Sequence, residues 1–153
     1  MSRNTPLRVE VDASPGAPPV NLARLEELLR FAARLERGGG EVAIWLCTDA
    51  EIADLHLRFM GIPGATDVMS FPGDAAVASV GHLGDIAISF ETAARQGKEA
   101  GNTVAREVAY LALHGVLHLL GYDDLDAPDR SRMIARQDEL LAAFEESDPG
   151  DWG

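Results

Sequence analysis

From Val108 to Leu120 the chain reads VAYLALHGVLHLL, and this stretch constrains the fold more than any other. It is apolar nearly all the way round at helical spacing, so it predicts a helix covered on every side rather than a surface helix with one wet face. Its only ionisable side chains are His114, His118 and the phenol of Tyr110. At spacing i, i+4 the histidines share a face, one turn apart. Two imidazoles in such surroundings need partners, because unpaired buried polar groups cost on the order of a few kcal/mol each. Hydrogen bonds to backbone carbonyls are the usual fate of a lone core histidine. For a pair at ligand spacing, a divalent metal satisfies both at once and is the preferred reading.

The residues just beyond the helix strengthen that reading. Gly121 is a natural helix stop, and Asp124 comes three residues later, where a reversing turn can carry it back over the histidine face. The pattern H-x3-H-x2-G-x2-D then supplies three protein ligands and leaves a coordination position open, as catalytic sites do. Asp123, Asp124 and Asp126 also read together as a solvated acidic turn. Asp126 fits a helix cap, and Asp124 fits the ligand role better. In zinc peptidases of H-E-x-x-H type a glutamate follows the first histidine as general base. Here that position is Gly115, which cannot take a proton, so the peptidase reading is weak.

The rest of the chain reads as short strands and amphipathic helices. Leu7–Val11 alternates like a strand, and Asn21 caps a helix whose apolar positions Leu22, Leu25, Leu28, Leu29 and Ala32 form one face, ended by Gly38–Gly40. Val42–Thr48 is a strand buried on both faces. Thr48 and Glu51 form a capping box for a helix burying Ile52, Leu55 and Phe59. Thr66–Phe71 and Leu83–Ser89 are further strands, separated by a Gly/Ala-rich linker around Gly73–Gly81. Two helices come next, over Glu91–Ala100 and Thr103–Leu120. A last helix after Asp126 has Pro128 in its first turn and buries Met133, Ile134, Leu140, Leu141 and Phe144. The sum is an α+β fold of about four strands and five helices. Residues 1–145 are expected to form a single metal-binding domain and residues 146–153 a disordered acidic tail.

The totals agree. A chain of 153 residues suits one domain with a real core. Neither a signal peptide at Met1–Pro6 nor a membrane-length apolar run is evident, and the single Cys47 fits a reducing cytosol, so a cytoplasmic protein is expected. The net charge of −12 argues at first against a nucleic-acid partner. Residues 123–153, however, carry ten acidic and three basic side chains, over half of the excess. A basic groove elsewhere remains compatible with the sequence; Arg58, Arg95, Lys98, Arg106, Arg130 and Arg132 are the available cations.

The string His114-Gly115-Val116-Leu117-His118-Leu119-Leu120-Gly121-Tyr122-Asp123 resembles the signature H-G-x-L-H-L-x-G-Y-D-H of the YbeY family of bacterial rRNA-maturation endoribonucleases. Thr66-Asp67-Val68-Met69-Ser70-Phe71-Pro72 is similar to that family's P-T-D-V-L-S-F-P segment, and Leu83-Gly84-Asp85-Ile86 and Ala93 to Gly101 come after it in the family's order. The resemblance implies a metal-dependent endoribonuclease specific for single strands, acting in rRNA maturation and small-subunit quality control. It also implies one zinc-like ion, a short mixed sheet flanked by helices, and ribosomal and GTPase partners. His114 and His118 occupy the first two ligand positions.

Two departures stand out. The family's third ligand is histidine where this chain has Asp124, a harder donor that adds negative charge. An arginine thought to contact RNA phosphate precedes the family's loop glycine, whereas here Met60 precedes Gly61. Arg58 is two residues earlier, about 200° round the helix, and is the candidate substitute. His114, His118, Asp124 and Arg58 are therefore the candidate catalytic residues, with zinc the expected ion. Asp67 and Asp85 read as strand-end acids bonded to backbone, with orientation of a histidine as the alternative. His56 and His82 read as surface histidines and Cys47 as a small packed hydrophobe, while Trp45 and Phe71 suit core packing better than base stacking. A non-catalytic ribosome-assembly factor holding a structural metal is the competing function.

Overall fold

A computed structural model describes residues 6–73 and 81–153. Most of the expected linker around Gly73–Gly81 lies outside the described residues, as do residues 1–5. In chain order the elements are β1 (Leu7–Ala13), α1 (Leu22–Leu35), β2 (Gly40–Cys47), α2 (Asp49–Met60), β3 (Val68–Pro72), β4 (His82–Ser89), α3 (Phe90–Ala100), α4 (Val104–Leu119) and α5 (Ala127–Ser147). The strands form one sheet in the order β1-β2-β4-β3. β1 and β4 run parallel to β2, and β3 pairs antiparallel with β4, from Val68 opposite Ile88 to Pro72 opposite Gly84. The architecture is α+β with a mixed sheet, as expected.

Local chemistry sets the boundaries. Asn21, Ser89, Thr103 and Asp126 each cap a helix by accepting a backbone N–H with the side chain. Thr48 and Glu51 form the reciprocal capping box of α2. Strand alternation then splits the core. Val42, Ile44, Leu46, Ile86 and Ile88 face the main cluster with α1, α4 and α5, whereas Cys47 and Ala87 face a smaller cluster with Ile52 and Met69. One face of β2 is thus buried, and the other is buried at Cys47 and half-buried at Ala43 and Trp45. Burial, followed by the charges of Glu51 and Asp49, pushes the Cys47 thiol up to about 12, which makes it an inert packed hydrophobe.

The helix α4 packs against β3, β4, α1, α3 and α5. Val108, Ala109, Ala112, Leu113, Val116 and Leu117 are fully covered, as an all-apolar helix requires. Gly115 lets α4 approach the sheet: a Cβ there would fall 2.8 Å from both Cδ1 and Cγ2 of Ile86. The missing glutamate of a peptidase motif is therefore also a packing requirement.

Three expectations are corrected. Phe59 is 63% exposed and Ile134 39% exposed instead of buried. Phe59 lies near the C-terminal end of α2, whose buried residue is Ile52, and Ile134 turns away from the Met133, Gln137, Leu140, Leu141 and Phe144 face of α5. The end of the chain also packs instead of forming a disordered tail. α5 continues to Ser147, and Trp152 is only 4% exposed. Its indole N–H donates to Glu145 Oε2 at 2.9 Å, and its carbonyl accepts from the Asn21 N–H at 2.7 Å. The Arg24 guanidinium lies 4.4 Å from the Trp152 ring centroid and 5.2 Å from that of Phe144. Acidic composition masks the one large apolar anchor in this segment.

Candidate metal centre

The end of α4 is closed by two backbone bonds. The Gly121 N–H donates to the His118 carbonyl at 3.0 Å and the Tyr122 N–H to the Leu117 carbonyl at 3.0 Å. This paired arrangement requires a left-handed residue, and Gly121 supplies it with φ 111°. The Tyr122 hydroxyl then donates to Glu36 Oε1 at 3.1 Å, and Glu36 also accepts from Arg136 Nε at 2.6 Å. Burial first, and the Glu36 carboxylate second, raise the Tyr122 phenol, so it stays a neutral donor. Asp123 Oδ1 accepts from the Leu125 N–H at 2.9 Å. Bonds to α1 and α5 thus hold the turn, and it returns Asp124 to the histidines.

Asp124 Oδ2 lies 3.2 Å from His118 Nε2 and 3.7 Å from His114 Nε2. The imidazole centroids are 4.9 Å apart with the rings near perpendicular, so both Nε2 atoms converge on one carboxylate. Among the described residues these three form the one histidine, cysteine and acidic cluster compact enough for a metal ion. Tetrahedral zinc with bonds of 2.0–2.1 Å spaces its ligand atoms about 3.3 Å apart. The two histidine-to-carboxylate separations bracket that value and all three ligand atoms lie within 4.8 Å of one another, so the residues present fit the ion. Relative side-chain exposures of 17% for His114, 27% for His118 and 35% for Asp124 leave one side open. Such a set can hold a divalent cation and still admit a water or substrate oxygen.

The open side faces a cleft of about 650 Å3 whose lining includes His56, Phe59, Met60, Ser70 and Phe71 together with the three candidate ligands. Phe59 and Phe71 meet edge to face at 5.4 Å. Among the described residues, none that lines this cleft is lysine or arginine. Met60, where the resemblance expects arginine, lines it and is 61% exposed. Arg58 is not brought to the cleft; its Nε lies 3.5 Å from Asp54 Oδ2 on the exposed side of α2. Arg130 reaches the ligand turn, donating to the Asp124 carbonyl at 3.3 Å.

Asp67 takes the structural role read for it, bonding backbone, whereas Asp85 bonds a histidine side chain, His82, which is not one of the candidate ligands. Asp67 accepts from the Val68 N–H at 2.8 Å and from Gln96 at 3.2 Å, and Asp85 bonds His82 at 3.1 Å. Two polar residues at the site were not assigned to it from sequence: His56, read as a surface histidine, and Gln137. His56 lines the cleft, with Nδ1 2.9 Å from the Gly64 carbonyl. Gln137 bonds His114, its Oε1 lying 2.9 Å from Nδ1. Neither carries a spacing signal, because each reaches the site from a different helix.

A family model described as Endoribonuclease YbeY matches residues 21–145 of the chain. Curated proteins named Endoribonuclease YbeY include that of Thermobifida fusca, 37% identical, with the match covering 92% of this chain and 96% of the relative. The Moorella thermoacetica protein is 44% identical over 79% of this chain and 85% of its own length. For the Mycolicibacterium vanbaalenii protein, 46% identical, the match spans 66% of this chain and 60% of the relative. The solution structure of TM1509 from Thermotoga maritima superposes with a TM-score of 0.63, covering 94% of this chain and 99% of that one at 23% identity, a likeness of fold.

Proposed function

The chain belongs to the endoribonuclease YbeY family, and on that premise we propose that it is a metal-dependent endoribonuclease that cuts single-stranded RNA during rRNA maturation and small-subunit quality control in the cytoplasm. The observation that carries the reading is the convergence of His114, His118 and Asp124 on one point at the floor of an open cleft. A divalent ion held there, zinc by preference for this donor set, would supply positive charge to a phosphodiester and acidity to a coordinated water. The residues do the rest. His114 and His118 hold position on a buried helix, and the turn closed by Gly121 sets Asp124. The Phe59 and Phe71 rings offer a face to unpaired bases, which a duplex would not present. With no lysine or arginine among the described residues lining the cleft, Arg130, which reaches the turn bearing Asp124 from α5, is the candidate to meet phosphate. No helix among the described residues is long and apolar enough to cross a membrane.

The partners proposed are single-stranded rRNA, the small ribosomal subunit and its assembly factors. A test is incubation of the purified chain with single-stranded and duplexed fragments of small-subunit rRNA, beside His118→Ala. Cleavage confined to the single strand and lost in the variant supports the reading. A second reading, an assembly factor with a structural metal, draws support from Met60 in the cleft and from Arg58 outside it. It predicts RNA binding without cleavage, and unfolding when the metal is withdrawn.

A further inference from the structure

Gln137 lies on the buried face of α5 with 1% of its surface exposed, and its side-chain amide makes two bonds. Nε2 donates to the Tyr110 carbonyl at 2.9 Å, and Oε1 lies 2.9 Å from His114 Nδ1. The polarity of this chain of bonds is fixed from one end. A backbone carbonyl only accepts, so the NH2 end of the amide faces Tyr110 and its oxygen faces His114. That oxygen also only accepts, so His114 Nδ1 must carry the hydrogen. A histidine that ligates a metal is a neutral imidazole with one N–H, so in that form the lone pair is on Nε2, the atom 3.7 Å from Asp124 Oδ2.

We propose that Gln137 is the positioning residue of the metal centre: it locks His114 in the tautomer and ring orientation that present the Nε2 lone pair to the ion. The proposal rests on the metal-centre reading above. It gives a role to a buried amide that simple packing does not need, since an apolar side chain of similar volume would fill the same space. Partners of this kind, bonded to the remote nitrogen of a ligating histidine, typically account for 10- to 100-fold in metal affinity.

The test uses the full chain, first stripped of metal and then titrated with Zn2+ against a chromophoric chelator. With zinc bound, 15N NMR of the imidazoles should find His114 protonated at Nδ1, with Nε2 on the ion. Gln137→Met, close in volume but without the acceptor, should release that tautomer and lower zinc affinity about 10- to 100-fold. Gln137→Glu keeps an acceptor oxygen on Nδ1–H and should hold affinity within about threefold or raise it. Zinc-loaded wild-type His114 protonated at Nε2 overturns the proposal, even if Gln137→Met fails to fold. Equal zinc affinity in wild type and Gln137→Met overturns it alone, leaving the metal centre intact. A wild-type chain that binds no zinc, whatever its tautomer, overturns the metal centre and the proposal with it.

Discussion

Gly115 and Ile86 meet where α4 crosses β4, at a separation that leaves no room for a side chain on residue 115. Overpacking of this kind costs about 1–3 kcal/mol, whereas glycine to alanine inside a helix gains about 1 kcal/mol. Gly115→Ala should therefore lose about 1 kcal/mol net by urea unfolding. In an Ile86→Ala background, which removes the clashing atoms, the same change should stabilise. The same cost in both backgrounds would show that this contact is not what requires glycine.

Asp124 makes the donor set harder than a three-histidine one. Asp124→His keeps a ligand at that position and should retain the ion. It should shift preference toward zinc and away from manganese, read as the ratio of the two affinities by competition titration. An unchanged ratio would mean that Asp124 does not reach the ion.

Much of the fold and half of the site are legible in local signals. The caps at Asn21, Thr48 and Asp126 mark helices, and the apolar run around His114 and His118 marks the buried one. The ligand turn is legible because Gly121 closes a backbone motif of fixed geometry. Phe59, Ile134 and Trp152 are less legible because their burial depends on which elements lie opposite them, and the Trp152 site is assembled from Arg24, Phe144 and Glu145. Gln137 was invisible for the same reason, since a glutamine on α5 acquires meaning only once α4 is packed beside it.

The packed C-terminal end makes its own prediction. Trp152→Ala should destabilise by about 3 kcal/mol, as loss of a buried tryptophan does. The Arg106 guanidinium, bonded at 2.7 and 2.8 Å, is the largest influence on Glu145 and holds its carboxyl below the usual range. Because the folded value is depressed, the stability it confers is present above the ordinary glutamate value of about 4.3 and is lost as pH falls through the folded value. The deficit of Arg106→Gln against wild type should thus shrink as pH falls below the ordinary glutamate value of about 4.3. A deficit that does not vary with pH would contradict the ion-pair account.

Arg58 and Phe59 are neighbours with different outlooks. Arg58→Ala breaks an exposed pair with Asp54 and should change stability by less than about 0.5 kcal/mol, with RNA affinity unaltered. Phe59→Ala removes a ring from the cleft and should weaken binding of a short single strand by about tenfold. The reverse ranking in a fluorescence-anisotropy titration would place the RNA on the outer face of α2.

The most direct test of the central claim is the metal content and single-strand RNA cleavage of the purified chain, measured together beside His114→Ala. The account predicts one divalent ion per wild-type chain, and in the variant the joint loss of ion and cleavage at retained fold. Cleavage by His114→Ala at the wild-type rate without bound metal would contradict it.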